Sequence, residues 1–194
     1  MKETEFVLAS NSPRRKELLS SIVDRFDVRS ADVDERLEDS PAPDLAVKIL
    51  AERKADAVYR RVKDCYGSGL IVLGCDTVVA YKGKILGKPR DEAEAKQMLS
   101  LLSGKTHTVY TGVCFVTEKG THIDVDRSYV TFHSLTKVQI EEYVKSGSPM
   151  DKAGAYGIQD GVVVDKFTGS YSNIVGLPLE LTERMLKEVI KELC

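Results

Sequence analysis

The chain has 194 residues, 42% hydrophobic and 30% charged, with 28 Lys plus Arg against 30 Asp plus Glu for a formal charge of −2. That length supports a sizeable core, and the balance of charge lacks the basic excess expected of a partner for duplex nucleic acid. No run approaches the roughly 18 apolar residues of a membrane span, and the opening MKETEFVLAS lacks the apolar core of a secretory leader.

FVLAS at 6–10 predicts a short buried strand, and PRRKELLSSI at 13–22 a helix, with Ser12 as N-cap and Pro13 as first helical residue. A turn at DRFD leads into the acidic stretch 29–44, a loop with at most a short strand. Ala, Leu and Ile at helical spacing predict a long helix over 45–62. Residues 68–89 predict a buried strand interrupted at Asp76, then a hairpin turning at KGK. The next helix, 90–104, has an acidic first turn and Gly104 as its stop. Strands follow at 107–117 and 121–134 across the turn EKG, and Thr136 with Gln139 marks a capping box for a helix beyond. After the glycine-punctuated loop 148–161 come VVVDKF, a turn TGSYSN, IVGLP and a closing helix over 179–193. With no internal repeat or linker, the expectation is one α/β domain over 1–194, a mixed twisted sheet flanked by helices; two lobes with a cleft between them stay open.

Cys65, Cys75, Cys114 and Cys194 fall at irregular spacing, which favours reduced thiols in a cytoplasmic protein over a disulfide framework. His107, His122 and His133 show no zinc-site spacing, so a metal here is expected on carboxylates, which points to magnesium or manganese.

Two adjacent arginines, Arg14 and Arg15, stand in the first turn of the 13–22 helix, where the dipole disfavours them by about 0.3–1 kcal/mol each. Helical spacing sets Arg15 on the apolar face of Leu18, Leu19 and Ile22, aimed over the end of the sheet, where open α/β folds bind ligands. A phosphate clamp of guanidinium forks explains the pair; a solvated turn matched by nearby acids is the plainer alternative. Asp76 sits among apolar neighbours in LIVLGCDTVVAY and demands a cation, whether a structural ion pair or a metal. Glu35 lies in an acidic loop, Lys54 on the long helix, and Lys88 between Gly87 and Pro89. Each has a solvated or turn-forming reading beside the functional one. In DKAGAYGIQ, small residues permit close approach, and Tyr156 with Gln159 suits a nucleobase edge. Together these features describe a polyphosphate site.

LASNSPRRKELL, GCDTVVAYKGKILGKPRD, MLSLLSGKTHTVYTGV, YVKSGSPMDKAGAYGIQ and GSYSNIVGLPL, in this order and over nearly the whole chain, resemble the Maf family of nucleotide pyrophosphatases. The resemblance implies a fold like that of inosine-triphosphate pyrophosphatases, with a cleft between two lobes. It implies metal-dependent hydrolysis of a nucleoside triphosphate to monophosphate and pyrophosphate, with a homodimer common in the family. By motif matching, Asp76 is the proton acceptor, Ser12, Arg14, Arg15, Lys54 and Lys88 bind phosphates, and Glu35 joins Asp76 at a magnesium or manganese ion. Arg14, Thr77 and Gln159 match the dTTP/UTP branch. The 7-methyl-GTP branch carries tryptophan where this chain has Arg14, and this chain has no tryptophan. The segment after Gln159, DGVVVDKF, is shorter and less glycine-rich than that branch suggests. Two rivals remain: a 7-methyl-GTP or CTP enzyme of the same family, and a non-enzymatic nucleotide-binding regulator of septum formation.

Overall fold

A computed structural model describes residues 5–66 and 69–193. Ser68, where the second buried strand is predicted to begin, Cys194 and the first four residues lie outside the described residues. The strands are β1 (Glu5–Leu8), β2 (Asp27–Val28), β3 (Leu70–Tyr81), β4 (Lys84–Leu86), β5 (Thr106–Thr117), β6 (Gly120–Phe132) and β7 (Val164–Thr168). They pair in the order β2-β1-β3-β5-β6-β7, with β4 on β3. Pairing is parallel for β1 with β2 and β3, antiparallel for β3 with β4 and β6 with β7, so the sheet is mixed. The helices are α1 (Pro13–Leu19), α2 (Pro43–Val62), α3 (Glu92–Leu102), α4 (Lys137–Lys145), α5 (Tyr171–Val175) and α6 (Leu179–Leu193). Two compact units divide the chain: Met1–Asp76, Thr111–Asp126 and Gly176–Cys194 form one, Thr77–Tyr110 and Arg127–Val175 the other.

In the first unit the period of two along each strand sorts side chains onto two buried faces. Phe6, Leu8, Ile71, Leu73, Cys75, Val113 and Phe115 cluster with Leu19 of α1 and with Leu181, Met185 and Val189 of α6. Their alternates, Val7, Ala9, Leu70, Val72, Cys114 and Val116, cluster with Ala51, Ala55, Val58 and Val62 of α2. Covering both faces explains the near-continuous apolar sequence of these strands, and each large side chain so buried contributes about 1.5–3 kcal/mol. Gly74 and Gly112 bring α2 down onto the strand backbone. A Cβ at Gly74 would stand 2.3 Å from the Ala51 carbonyl, and one at Gly112 2.4 Å from that of Val47.

The second unit has its own core. Val79, Val109, Val130 and Phe132 from the strands pack with Ala95, Met98, Leu99 and Leu102 of α3 and with Ile140, Tyr143 and Val144 of α4. Lys82 (φ 50°) and Gly83 (φ 77°) form the two-residue turn of the β3–β4 hairpin, both left-handed as a primed turn requires. The capping box of α4 forms: Gln139 N–H donates to Thr136 Oγ1 at 3.3 Å, and Thr136 N–H to Gln139 Oε1 at 2.8 Å.

Four elements differ from expectation. β3 runs unbroken through Asp76, because a lysine meets that carboxylate within the packed face and no bulge is required. α1 ends at Leu19 instead of residue 22, where Ser20 Oγ donates to the Glu17 carbonyl (2.6 Å) and Ser21 Oγ to that of Leu18 (2.7 Å), competing with further helical bonding. The two-residue β2 begins on Asp27, the last residue of the predicted turn, and pairs with β1. TGSYSN, expected as a turn, opens α5, whose first turn is capped by Ser170 Oγ accepting from Asn173 N–H at 3.3 Å.

Candidate active site

Asp76 continues the row of Leu70, Val72 and Gly74, so its side chain falls on the face of β3 that α2 covers. On α2, Lys54 lies between Ala51 and Ala55, the residues that touch Gly74. The two side chains therefore meet inside the packing: Lys54 Nζ donates to Asp76 Oδ1 at 2.6 Å, with the residues 8% and 7% exposed. The same ammonium lies 2.7 Å from Glu35 Oε1, which reaches in from an exposed loop. Burial pushes the Asp76 carboxyl above the usual carboxylate range, while the charges of Lys54 and Arg15 pull it back. The neighbouring Cys75 thiol is held up at about 11, chiefly by burial, and stays protonated at neutral pH.

At the start of α1, Ser12 caps the helix by accepting from Arg15 N–H at 3.4 Å. The Arg15 side chain turns to the carboxyl end of β1: Nε donates to the Gly176 carbonyl (2.9 Å) and Nη1 to Ser10 Oγ (3.3 Å). Arg14 beside it is half-buried. In this unit the structure directly joins Asp76, Lys54 and Glu35, with Arg15 acting electrostatically on Asp76.

Thr77, Lys88 and Gln159 belong to the second unit. Thr77 follows Asp76 on β3 and takes the opposite face. Lys88 is exposed and Pro89 behind it buried, and the Gly154 N–H donates to the Gly87 carbonyl at 3.0 Å, fastening the Lys88 turn to the glycine loop. Gln159 is exposed within that loop. Tyr156 departs from its predicted role. It is 5% exposed, its hydroxyl bonds His107 Nε2 at 2.8 Å, and its ring meets Phe132 and His107 edge-on, so it serves the core and presents no face to a base.

Sequence reasoning passed over Ser10 and Gly176, which hold Arg15, because a backbone carbonyl 161 residues away leaves no local pattern. It also passed over Tyr143, Ser148 and Asp160, which bond one another around the glycine loop. The Asp directly after Gln159 was the available signal.

Glu35 and Asp76 already hold one cation between them, the Lys54 ammonium, and hard oxygen donors of this kind suit magnesium or manganese. Among the described residues, no group of three or more His, Cys, Asp or Glu is placed to hold a metal. Glu35 and Asp76 would supply two carboxylates to such an ion.

Residues 5–189 match the Maf family, described as Maf-like protein. The chain belongs to this family. A Bacillus cereus (strain AH187) protein named dTTP/UTP pyrophosphatase is 46% identical over 186 residues, 95% of either chain. Another of that name from Geobacillus sp. (strain WCH70) is 44% identical over 187 residues, 95% of this chain and 98% of its own. The solved Staphylococcus aureus Ham1 protein aligns with this Maf-like chain over 95% of its length and 99% of that structure, at TM-score 0.50 and 13% identity, which is a likeness of fold. No helix among the described residues is long and apolar enough to cross a membrane.

Proposed function

We propose that this Maf-like chain hydrolyses dTTP and UTP to the nucleoside monophosphate and pyrophosphate. The observation that carries the reading is the buried Asp76 carboxylate, 2.6 Å from the Lys54 ammonium in a unit that also presents Arg14 and Arg15. The names of relatives at about 45% identity support the choice of substrate. Burial gives Asp76 a greater appetite for a proton than an exposed carboxylate has, as a general base near neutrality requires. In the reaction, Asp76 takes a proton from water as the water oxygen bonds the α-phosphorus. The bond from that phosphorus to the bridging oxygen breaks, and pyrophosphate leaves. Arg14, Arg15, Lys54 and Lys88 stabilise the charge gathering on phosphate oxygens, and Ser12 adds a hydroxyl contact. Thr77 and Gln159 select the pyrimidine. Glu35 and Asp76 would hold a magnesium or manganese ion, which when bound neutralises phosphate charge and eases deprotonation of water.

Hydrolysis of dTTP in oxygen-18 water tests the bond assignment. Label in dTMP supports attack at the α-phosphorus, whereas label in pyrophosphate, or release of dTDP with inorganic phosphate, refutes it. The proposal extends to action in the cytoplasm, supported by free thiols at Cys65, Cys75 and Cys114, and to a homodimer, which sedimentation of the purified chain decides.

A further inference from the structure

Gln159 sits between two residues that are tied to the same hydroxyl. Tyr143, 5% exposed on α4, accepts the Gly157 N–H at 3.1 Å and donates its own proton to the Asp160 carboxylate. Asp160 Oδ2 also accepts from Ser148 Oγ at 2.7 Å, and Lys152 Nζ donates to that Ser148 Oγ at 3.1 Å. The Gly157 backbone on one side of Gln159 and the Asp160 carboxylate on the other are thus both held by one buried side chain. The Gln159 amide lies back over Gly157: a Cβ there would stand 3.1 Å from Gln159 Oε1 and 2.8 Å from Lys152 Cε. Burial, with the Asp160 hydrogen bond next in weight, pushes the Tyr143 hydroxyl well above its ordinary value, so it remains a donor throughout the working pH range.

We propose that Tyr143, Ser148 and Asp160 form a positioning clamp that aims the Gln159 amide and thereby sets selectivity among pyrimidine nucleotides. The clamp residues act through Gln159 and touch no reacting atom. This inference rests on the proposed role of Gln159 in base choice.

The test measures kcat and KM for UTP and CTP with the full chain and with Gln159→Ala, Asp160→Ala, Asp160→Asn, Tyr143→Phe and Gln159→Ala/Asp160→Ala, each checked for folding by its thermal melt. Asp160→Ala is expected to lower the UTP-over-CTP ratio of kcat/KM about tenfold, through a higher KM for UTP at unchanged kcat. Asp160→Asn, which keeps an acceptor for both hydroxyls, restores most of the ratio. In the Gln159→Ala background, Asp160→Ala changes it no further. Should Asp160→Ala fail to fold, Tyr143→Phe removes the central hydroxyl alone and is expected to give the same loss. A ratio that collapses in Gln159→Ala yet stays within about twofold in Asp160→Ala and Tyr143→Phe overturns the clamp and leaves the reading of Gln159 standing. An unchanged ratio in Gln159→Ala overturns both. An equal loss from Asp160→Ala with and without Gln159 overturns the clamp by placing its effect elsewhere.

Discussion

The Lys54 ammonium lies 2.6 Å from Asp76 Oδ1 and 2.7 Å from Glu35 Oε1, so one cation serves a buried acid and an exposed one together. Removing either end of the buried pair has opposite consequences. Lys54→Met strands a carboxylate in the core and is expected to cost about 3 kcal/mol at pH 8. The loss shrinks toward pH 4, where the carboxyl, raised by burial, takes up a proton. Asp76→Asn removes the buried charge while Lys54 keeps Glu35. With its folded value raised, wild-type Asp76 favours the native state below its unfolded pKa of about 4 and loses that contribution as pH rises through the folded value. Asp76→Asn therefore gains stability on wild type between pH 4 and 8. Urea unfolding of the three proteins at both pH values checks the pattern, and equal shifts for the two variants contradict it.

Arg15, on the first turn of α1, has structural partners beside its proposed phosphate contact. Arg15 donates to the Gly176 carbonyl and to Ser10, and these bonds offset the unfavourable position at the helix start. Arg15→Ala is expected to lower stability by about 1–2 kcal/mol as well as turnover. Arg14→Ala is expected to lower turnover as well. Thermal melts beside kcat/KM check the account of Arg15, and an Arg15→Ala that melts with wild type contradicts it.

Gly74→Ala drives a methyl group into the backbone of α2 at Ala51 and Ala55, one turn or less from Lys54. The expected outcome is a loss of about 1–3 kcal/mol from overpacking, accompanied by a fall in kcat from a displaced ammonium. Wild-type kcat in a destabilised Gly74→Ala would show that α2 accommodates the methyl without moving Lys54.

His107 is 2% exposed, and burial lowers its pKa from 6.5 to about 4. The unfolded chain takes up a proton below pH 6.5 that the folded chain refuses, so stability falls as pH drops through this window. Between pH 7.5 and 5 this group alone removes about 2 kcal/mol. His107→Gln lacks the titration, and its unfolding free energy should decline less by that amount. Parallel declines would contradict the assignment.

Much of the fold was legible because the strands are buried on both faces and the helices have clean ends. The acidic first turn marks α3, Thr136 with Gln139 caps α4, and the KGK turn closes the hairpin; the Asp91 cap that starts α3 two residues later than expected was not read. Asp76 drew notice as a carboxylate in an apolar run, yet that reading expected an interruption. The compensating charge came from Lys54, 22 residues earlier, and only the period-two register against α2 shows the pairing. Tyr156 misled because an aromatic beside glycines suggests an exposed ring; its partner His107 lies 49 residues away. α5, five residues long, is too short for any periodicity to declare it.

The measurement that bears most directly on the central claim is pyrophosphate release from a panel of nucleoside triphosphates with magnesium or manganese, wild type beside Asp76→Asn. Release is expected from dTTP and UTP above CTP and 7-methyl-GTP, abolished by a chelator and in the variant. Absence of release from every triphosphate, or equal release by the variant, would contradict it and leave Asp76 as half of a structural ion pair.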